Sequence, residues 1–146
     1  MRRHLRSEAD TLALGARLAQ QLRPGCIVFL EGELGVGKTT LVRGLLRALG
    51  HAGPVKSPTF TLVEPYELNG WRIYHLDLYR LTSPDELEYL GVRDYLDGQS
   101  VCLVEWPDRG AGVLPEPDLV IELSYVEGQG RLARLQARSL RGRLCL

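Results

Sequence analysis

Gly32-Glu33-Leu34-Gly35-Val36-Gly37-Lys38-Thr39 is a complete G-x-x-x-x-G-K-[ST] run, and its surroundings decide its meaning. In front stands a compact apolar stretch, Cys26-Ile27-Val28-Phe29-Leu30, with the length and composition of a buried parallel strand. Behind it, Leu41, Val42, Leu45, Leu46 and Leu49 recur at helical spacing until Gly50 stops the pattern. Strand, glycine-rich turn and helix in that order make a phosphate cradle. The glycines let successive backbone N–H groups curl around an anion, and the positive end of the helix dipole faces the same point. Lys38 is then placed to reach the β- and γ-phosphates, and the Thr39 hydroxyl to ligate Mg²⁺. Gly32 through Thr40 is the expected nucleotide-binding segment, with Lys38 contributing to catalysis.

The expected fold class follows from this unit: α/β, a P-loop NTPase-like three-layer fold with a central, mostly parallel sheet. A chain of 146 residues has room for one such domain, spanning 1–146, and little more. The apolar share of 45% is that of a globular chain, and no apolar run approaches the ~20 residues of a membrane span. The Arg-rich start has no apolar stretch after it, as a secretory signal would, so a cytoplasmic protein with no membrane attachment is expected. Cys26, Cys102 and Cys145 are odd in number and widely spaced, which predicts buried free thiols in a reducing compartment.

Other elements can be placed around the cradle. Ser7 and Asp10 cap a helix carrying Leu14, Leu18 and Leu22, ended by Pro24-Gly25. Thr59 to Val63 has the composition of a strand, and Asn69-Gly70 that of a hairpin turn into Trp71–Asp77. Ser83-Pro84-Asp85-Glu86 is a capping box that opens a short helix ended by Gly91. Val101-Cys102-Leu103-Val104-Glu105 reads as a second buried strand. Leu119–Tyr125 and the residues after Leu132 alternate, which predicts antiparallel C-terminal strands.

A nucleotide hydrolase needs an acid at a strand end beside the loop, to hold Mg²⁺ directly or through water. Glu105 fits best, because four apolar residues precede it, and Asp77 after Ile73-Tyr74-His75-Leu76 is its rival. Both are candidate catalytic residues, one on the metal and one orienting the attacking water. Thr59 and Thr61 are either sensors of the γ-phosphate or plain strand threonines. His75 is read as a half-buried strand histidine outside the mechanism, and Trp106 as either core packing or a stacking surface. The N-K-x-D guanine motif is absent, since the one asparagine, Asn69, is followed by Gly70 and Trp71. ATP remains by elimination.

Formal net charge is zero, but Arg131, Arg134, Arg138, Arg141 and Arg143 follow one another with no acid between, and Arg2, Arg3 and Arg6 open the chain. These are either a surface for RNA or an acidic partner, or the solvated charges of an edge strand. Arginine is used in place of lysine almost throughout, so the count alone means little.

Taken together, Gly32–Thr40, Lys56-Ser-Pro-Thr-Phe-Thr61, His75-Leu-Asp-Leu-Tyr-Arg80, Glu86-Leu-Glu-Tyr-Leu-Gly91 and Leu103-Val-Glu-Trp-Pro107 resemble the bacterial TsaE (YjeE) ATPases in order and spacing. The resemblance covers most of Ser7 to Pro117 and is weakest after Gly130. It implies an ATPase using ATP and Mg²⁺ that works with TsaB and TsaD to make N6-threonylcarbamoyladenosine in tRNA, meeting tRNA indirectly through that complex. By the same resemblance, Thr39 and Glu105 are Mg²⁺ ligands, Gly35 to Thr40 wrap the phosphates and Asp77 assists catalysis. Two other classes compete: a small-molecule kinase, for which the chain has little room for a lid, and a nucleotide-regulated RNA-binding module.

Overall fold

The computed structural model describes residues Met1–Leu146. Seven strands form one sheet: β1 (Arg2–Leu5), β2 (Ile27–Glu31), β3 (Val63–Leu68), β4 (Trp71–Asp77), β5 (Val101–Glu105), β6 (Leu119–Tyr125) and β7 (Arg131–Ala137). Their spatial order is β1-β7-β6-β2-β5-β4-β3. The four central strands β6, β2, β5 and β4 run parallel, while β3 pairs antiparallel at one edge and β7 and β1 at the other. The architecture is mixed α/β, with parallel and antiparallel strands in a single sheet.

Alternation along the central strands assigns the two faces. Val28 and Leu30 of β2 and Val101 and Leu103 of β5 turn toward α1 (Glu8–Gln21) and α2 (Lys38–Ala48), joining Leu41, Leu45 and Leu46 in the larger core. Each fully buried leucine there contributes about 1.5–3 kcal/mol relative to exposure. Cys102 and Val104 face the other way, onto α3 (Asp85–Tyr89) and α4 (Val92–Tyr95), where Leu87 and Val92 close a smaller core. The helices α1 and α2 cross at very short range. A Cβ on Gly44 would lie 2.2 Å from the Leu12 carbonyl oxygen, so only glycine fits there. The last helix, α5 (Leu140–Leu144), tucks under the sheet and buries Cys145.

Several expectations hold. Ser7 caps α1 and accepts from the Asp10 amide; Asn69 and Gly70, at φ 50° and 86°, make the β3–β4 hairpin turn. The Glu86 carboxylate accepts from the Ser83 amide, and the Ser83 hydroxyl from the Asp85 amide, which closes the predicted box at α3. All three cysteines are free and buried. Cys26 and Cys145 meet with their sulfurs 3.7 Å apart, while burial pushes the Cys102 thiol up to about 12.

Two corrections are needed. Thr59 to Thr61 is a turn, not the start of a strand: the Leu62 amide donates to the Pro58 carbonyl, Leu62 takes φ 67°, and β3 begins only at Val63. Side-chain hydroxyls of this segment bond to Asp77 in place of ladder pairing, and Phe60 is left 83% exposed. His75, read as a half-buried strand residue, is fully buried at 0% exposure in β4, whereas Arg2–Leu5 is strand β1 at the sheet edge, paired with β7 as the edge-strand reading of those arginines has it.

Candidate active site

The Gly32–Gly37 loop connects β2 to α2, and the acids come from the ends of the neighbouring strands. In register, Leu30 of β2 lies beside Glu105 of β5, and Glu105 lies beside Asp77 of β4. Parallel pairing thus delivers both carboxylates to the carboxyl edge of the sheet, next to the loop. This is the crevice where open parallel sheets collect ligands. Asp77 and Glu105 are 5% and 3% exposed, which makes each a buried acid with specific partners to account for.

Helix α2 opens at Gly37, whose φ of 118° is a left-handed conformation that L side chains avoid. No side chain caps this end, so the amides of the first turn face the cleft as free donors. Lys38, only 4% exposed, donates from Nζ to the Gly32 carbonyl at 2.5 Å and lies 3.7 Å from the centre of the Trp106 ring. Burial pulls its ammonium below the usual lysine range, while Glu105, Asp77 and Asp108 push it back up. The Thr39 hydroxyl donates to Glu105 Oε2 at 3.0 Å, the contact expected of two residues that would share a cation.

Asp77 is held in place by its own set of donors. Its Oδ1 accepts from the Tyr79 amide at 3.0 Å, and its Oδ2 lies 3.3 Å from the Ser57 hydroxyl and 3.5 Å from that of Thr59. Thr59 therefore reaches the site, whereas Thr61 bonds to Glu64 instead. The resulting cleft, about 310 Å³, is lined by the loop, both acids, Thr59, Trp106 and Arg80. Arg80 stacks on Phe60 at the mouth, 4.5 Å from the ring centre. It ends the His75–Arg80 stretch, to which the sequence reading gave no role beyond Asp77.

The predicted segment divides by role. Leu34, Gly35, Gly37, Lys38, Thr39 and Thr40 line the cleft. Val36 turns its side chain into the core at 1% exposure, Gly32 contributes its carbonyl to Lys38, and Glu33 lines no cleft. Trp106 adopts φ 57°, an uncommon value for a bulky residue, and that backbone lays its ring against Lys38. It is neither plain core nor a free stacking platform.

Sequence reasoning missed the loop's outer brace. The Tyr125 hydroxyl donates to the Leu34 carbonyl at 3.1 Å, and Arg131 Nε donates to the Val36 carbonyl at 3.1 Å while its guanidinium covers the Tyr125 ring. Two more arginines of the tail have partners within the chain. Arg141 donates to the Gly25 carbonyl, and Arg134 approaches Glu122. A second cavity of about 440 Å³ lies on the far side of the loop, between Gly35, Thr11, Gln129 and Arg131. A larger opening of about 620 Å³ at the opposite end of the strands, beside the Asn69–Gly70 turn, includes no part of the loop. No helix is long and apolar enough to cross a membrane.

Comparison with known proteins points one way. The family model described as threonylcarbamoyl adenosine biosynthesis protein TsaE matches residues 5–133. The tRNA threonylcarbamoyladenosine biosynthesis protein TsaE of Haemophilus influenzae is 46% identical over 129 residues, covering 85% of this chain and 82% of its own length. The protein of the same name from Bacillus subtilis is 42% identical over 112 residues, covering 77% and 70%. Among solved structures, Bacillus subtilis YdiB superposes with a TM-score of 0.86 at 30% identity, covering 99% of this chain and 90% of the other.

Proposed function

The chain belongs to the TsaE family, and from that premise we propose that it is a Mg²⁺-dependent ATPase of tRNA threonylcarbamoyladenosine biosynthesis, a single P-loop NTPase domain acting in the cytoplasm with TsaB and TsaD. The observation that carries the proposal is the 3.0 Å contact between the Thr39 hydroxyl and Glu105, residues 66 apart in sequence, on the floor of a cleft walled by free helix-terminal amides. Two oxygen donors of this kind suit a hard cation that completes its shell with phosphate oxygens and water. Mg²⁺ bound there would neutralise charge on the β- and γ-phosphates.

Every other part of the site acts through its own atoms. The loop amides and the first turn of α2 hold phosphate oxygens, and Lys38 exchanges the Gly32 carbonyl for an anionic partner. Asp77, fixed by the Tyr79 amide and the Ser57 and Thr59 hydroxyls, accepts a hydrogen bond from the attacking water and sets its direction. Arg80 adds a second positive charge at the mouth of the cleft. The nucleoside extends into the cavity between Gly35, Thr11, Gln129 and Arg131, where the Arg131 brace keeps the loop open.

Hydrolysis with no acceptor pocket does useful work when the two nucleotide states offer different surfaces to a partner. Phe60 and Leu34, 83% and 65% exposed, stand beside the cleft, and Ser57–Thr59 hangs on Asp77. A γ-phosphate beside Asp77 would compete for those hydroxyls, so its arrival and its loss would shift the segment that leads into the exposed Phe60. The experiment is a pull-down with the TsaB–TsaD pair under ATP, ADP and no nucleotide. ATP should favour association over ADP by tenfold or more, which needs about 1.4 kcal/mol of differential contact. Trp106→Ala should erode that preference more than it weakens ATP binding. Equal association in all three conditions would remove the switch.

A further inference from the structure

His75 is the one fully buried titratable side chain near the cleft to which the phosphate site gives no task. It sits at 0% exposure in β4, with Nε2 2.6 Å from Glu105 Oε2. A carboxylate only accepts, so Nε2 carries the proton in this pair. Nδ1 is buried and has no hydrogen-bond partner. Nε2 is therefore the ring's single polar contact, and it is made to Glu105. Its placement follows from the sheet. His75 is in register with Leu103, two residues before Glu105 on the parallel neighbour, so the two side chains share a face and meet on the diagonal.

Thr39 and His75 both donate to Oε2 of Glu105, and no protein donor reaches Oε1. With two donors on one oxygen, the carboxylate is fixed at its inner end and has a free oxygen for the cleft. We propose that His75 is a positioning residue for Glu105: its Nε2–H anchors Oε2 so that the carboxylate is already oriented beside the Thr39 hydroxyl when Mg²⁺ arrives. This rests on Glu105 being a Mg²⁺ ligand. Outer partners of ligating carboxylates commonly change metal affinity by about 10–100-fold when removed.

The test uses the full chain and three measurements. In wild type, ¹⁵N NMR of the His75 ring should show a proton on Nε2. His75→Leu keeps bulk and removes the donor, whereas His75→Gln retains an N–H that reaches to a similar depth. By calorimetry, His75→Leu should raise the Mg²⁺ concentration for half-maximal Mg²⁺-dependent ATP binding by about tenfold or more, with ATP affinity in EDTA within twofold of wild type. His75→Gln should recover most of the loss. A purely packing role moves the thermal midpoint but not the Mg²⁺ requirement, and is not rescued selectively by Gln. A folded His75→Leu variant with wild-type Mg²⁺ dependence overturns the proposal, as does an Nε2 that carries no proton. If His75→Leu fails to fold, His75→Gln and the ring tautomer decide the matter. Wild type binding ATP without any Mg²⁺ dependence would instead overturn the Mg²⁺ site itself, and this inference with it.

Discussion

Glu105→Gln should slow ATP hydrolysis by roughly 10²–10³-fold and raise the Mg²⁺ requirement for nucleotide binding, the scale on which a preorganised charge in a closed site contributes. The substitution keeps volume, and the amide oxygen still accepts from His75 and Thr39, so the lost quantity is the negative charge beside the Thr39 hydroxyl. Asp77→Asn should give a different pattern. Its carboxylate is held by the Tyr79 amide and two hydroxyls and makes no hydrogen bond with Thr39, so Mg-ATP should bind nearly as in wild type while hydrolysis falls by a similar factor. Titration of Mg²⁺ against ATP binding, with single-turnover hydrolysis, separates the two. Swapped phenotypes would reverse the roles, and two fully active variants would remove both acids from the site.

Lys38→Ala should weaken ATP binding by about 10- to 150-fold, equivalent to the ~1.5–3 kcal/mol of a charge-assisted hydrogen bond to phosphate. The side chain reaches back to the Gly32 carbonyl and lies against Trp106, with the apolar core behind it, so folding should be affected far less than affinity. Burial already holds its ammonium below the usual range, and an arriving phosphate reverses that penalty by supplying the opposite charge. Calorimetry with ATP is the measurement. Equal affinity in wild type and variant would contradict the assignment of Lys38.

What the sequence made legible is what local pattern determines. The β2–loop–α2 unit, the apolar run ending in Glu105, the Asn69–Gly70 turn and the Ser83–Glu86 box each declare themselves within one contiguous stretch, through periodicity, turn chemistry or capping. What escaped depends on partners far along the chain. Arg2–Leu5 has only one buried side chain, and its partner β7 lies at the far end of the chain. Thr59–Val63 has a strand's composition, yet Asp77 draws the Ser57 and Thr59 hydroxyls into the site and the chain turns. His75 has the alternation of an ordinary strand residue. Its link to Glu105 appears only when β4 and β5 are set in register. The Tyr125 and Arg131 brace likewise joins the last hairpin to a loop some 90 residues earlier. Trp106 could be read either way until its left-handed backbone laid its ring against Lys38.

On the proposed function, this cleft transfers the γ-phosphate of ATP to water, and TsaB and TsaD set the rate. The most direct measurement follows γ-labelled phosphate from ATP on the purified chain, with Mg²⁺, alone and with the TsaB–TsaD pair. Free inorganic phosphate is expected, at a low rate from the chain alone and faster with the pair, and none in EDTA. Label appearing on a small-molecule acceptor, or no phosphate released under any of these conditions, would contradict the proposed function.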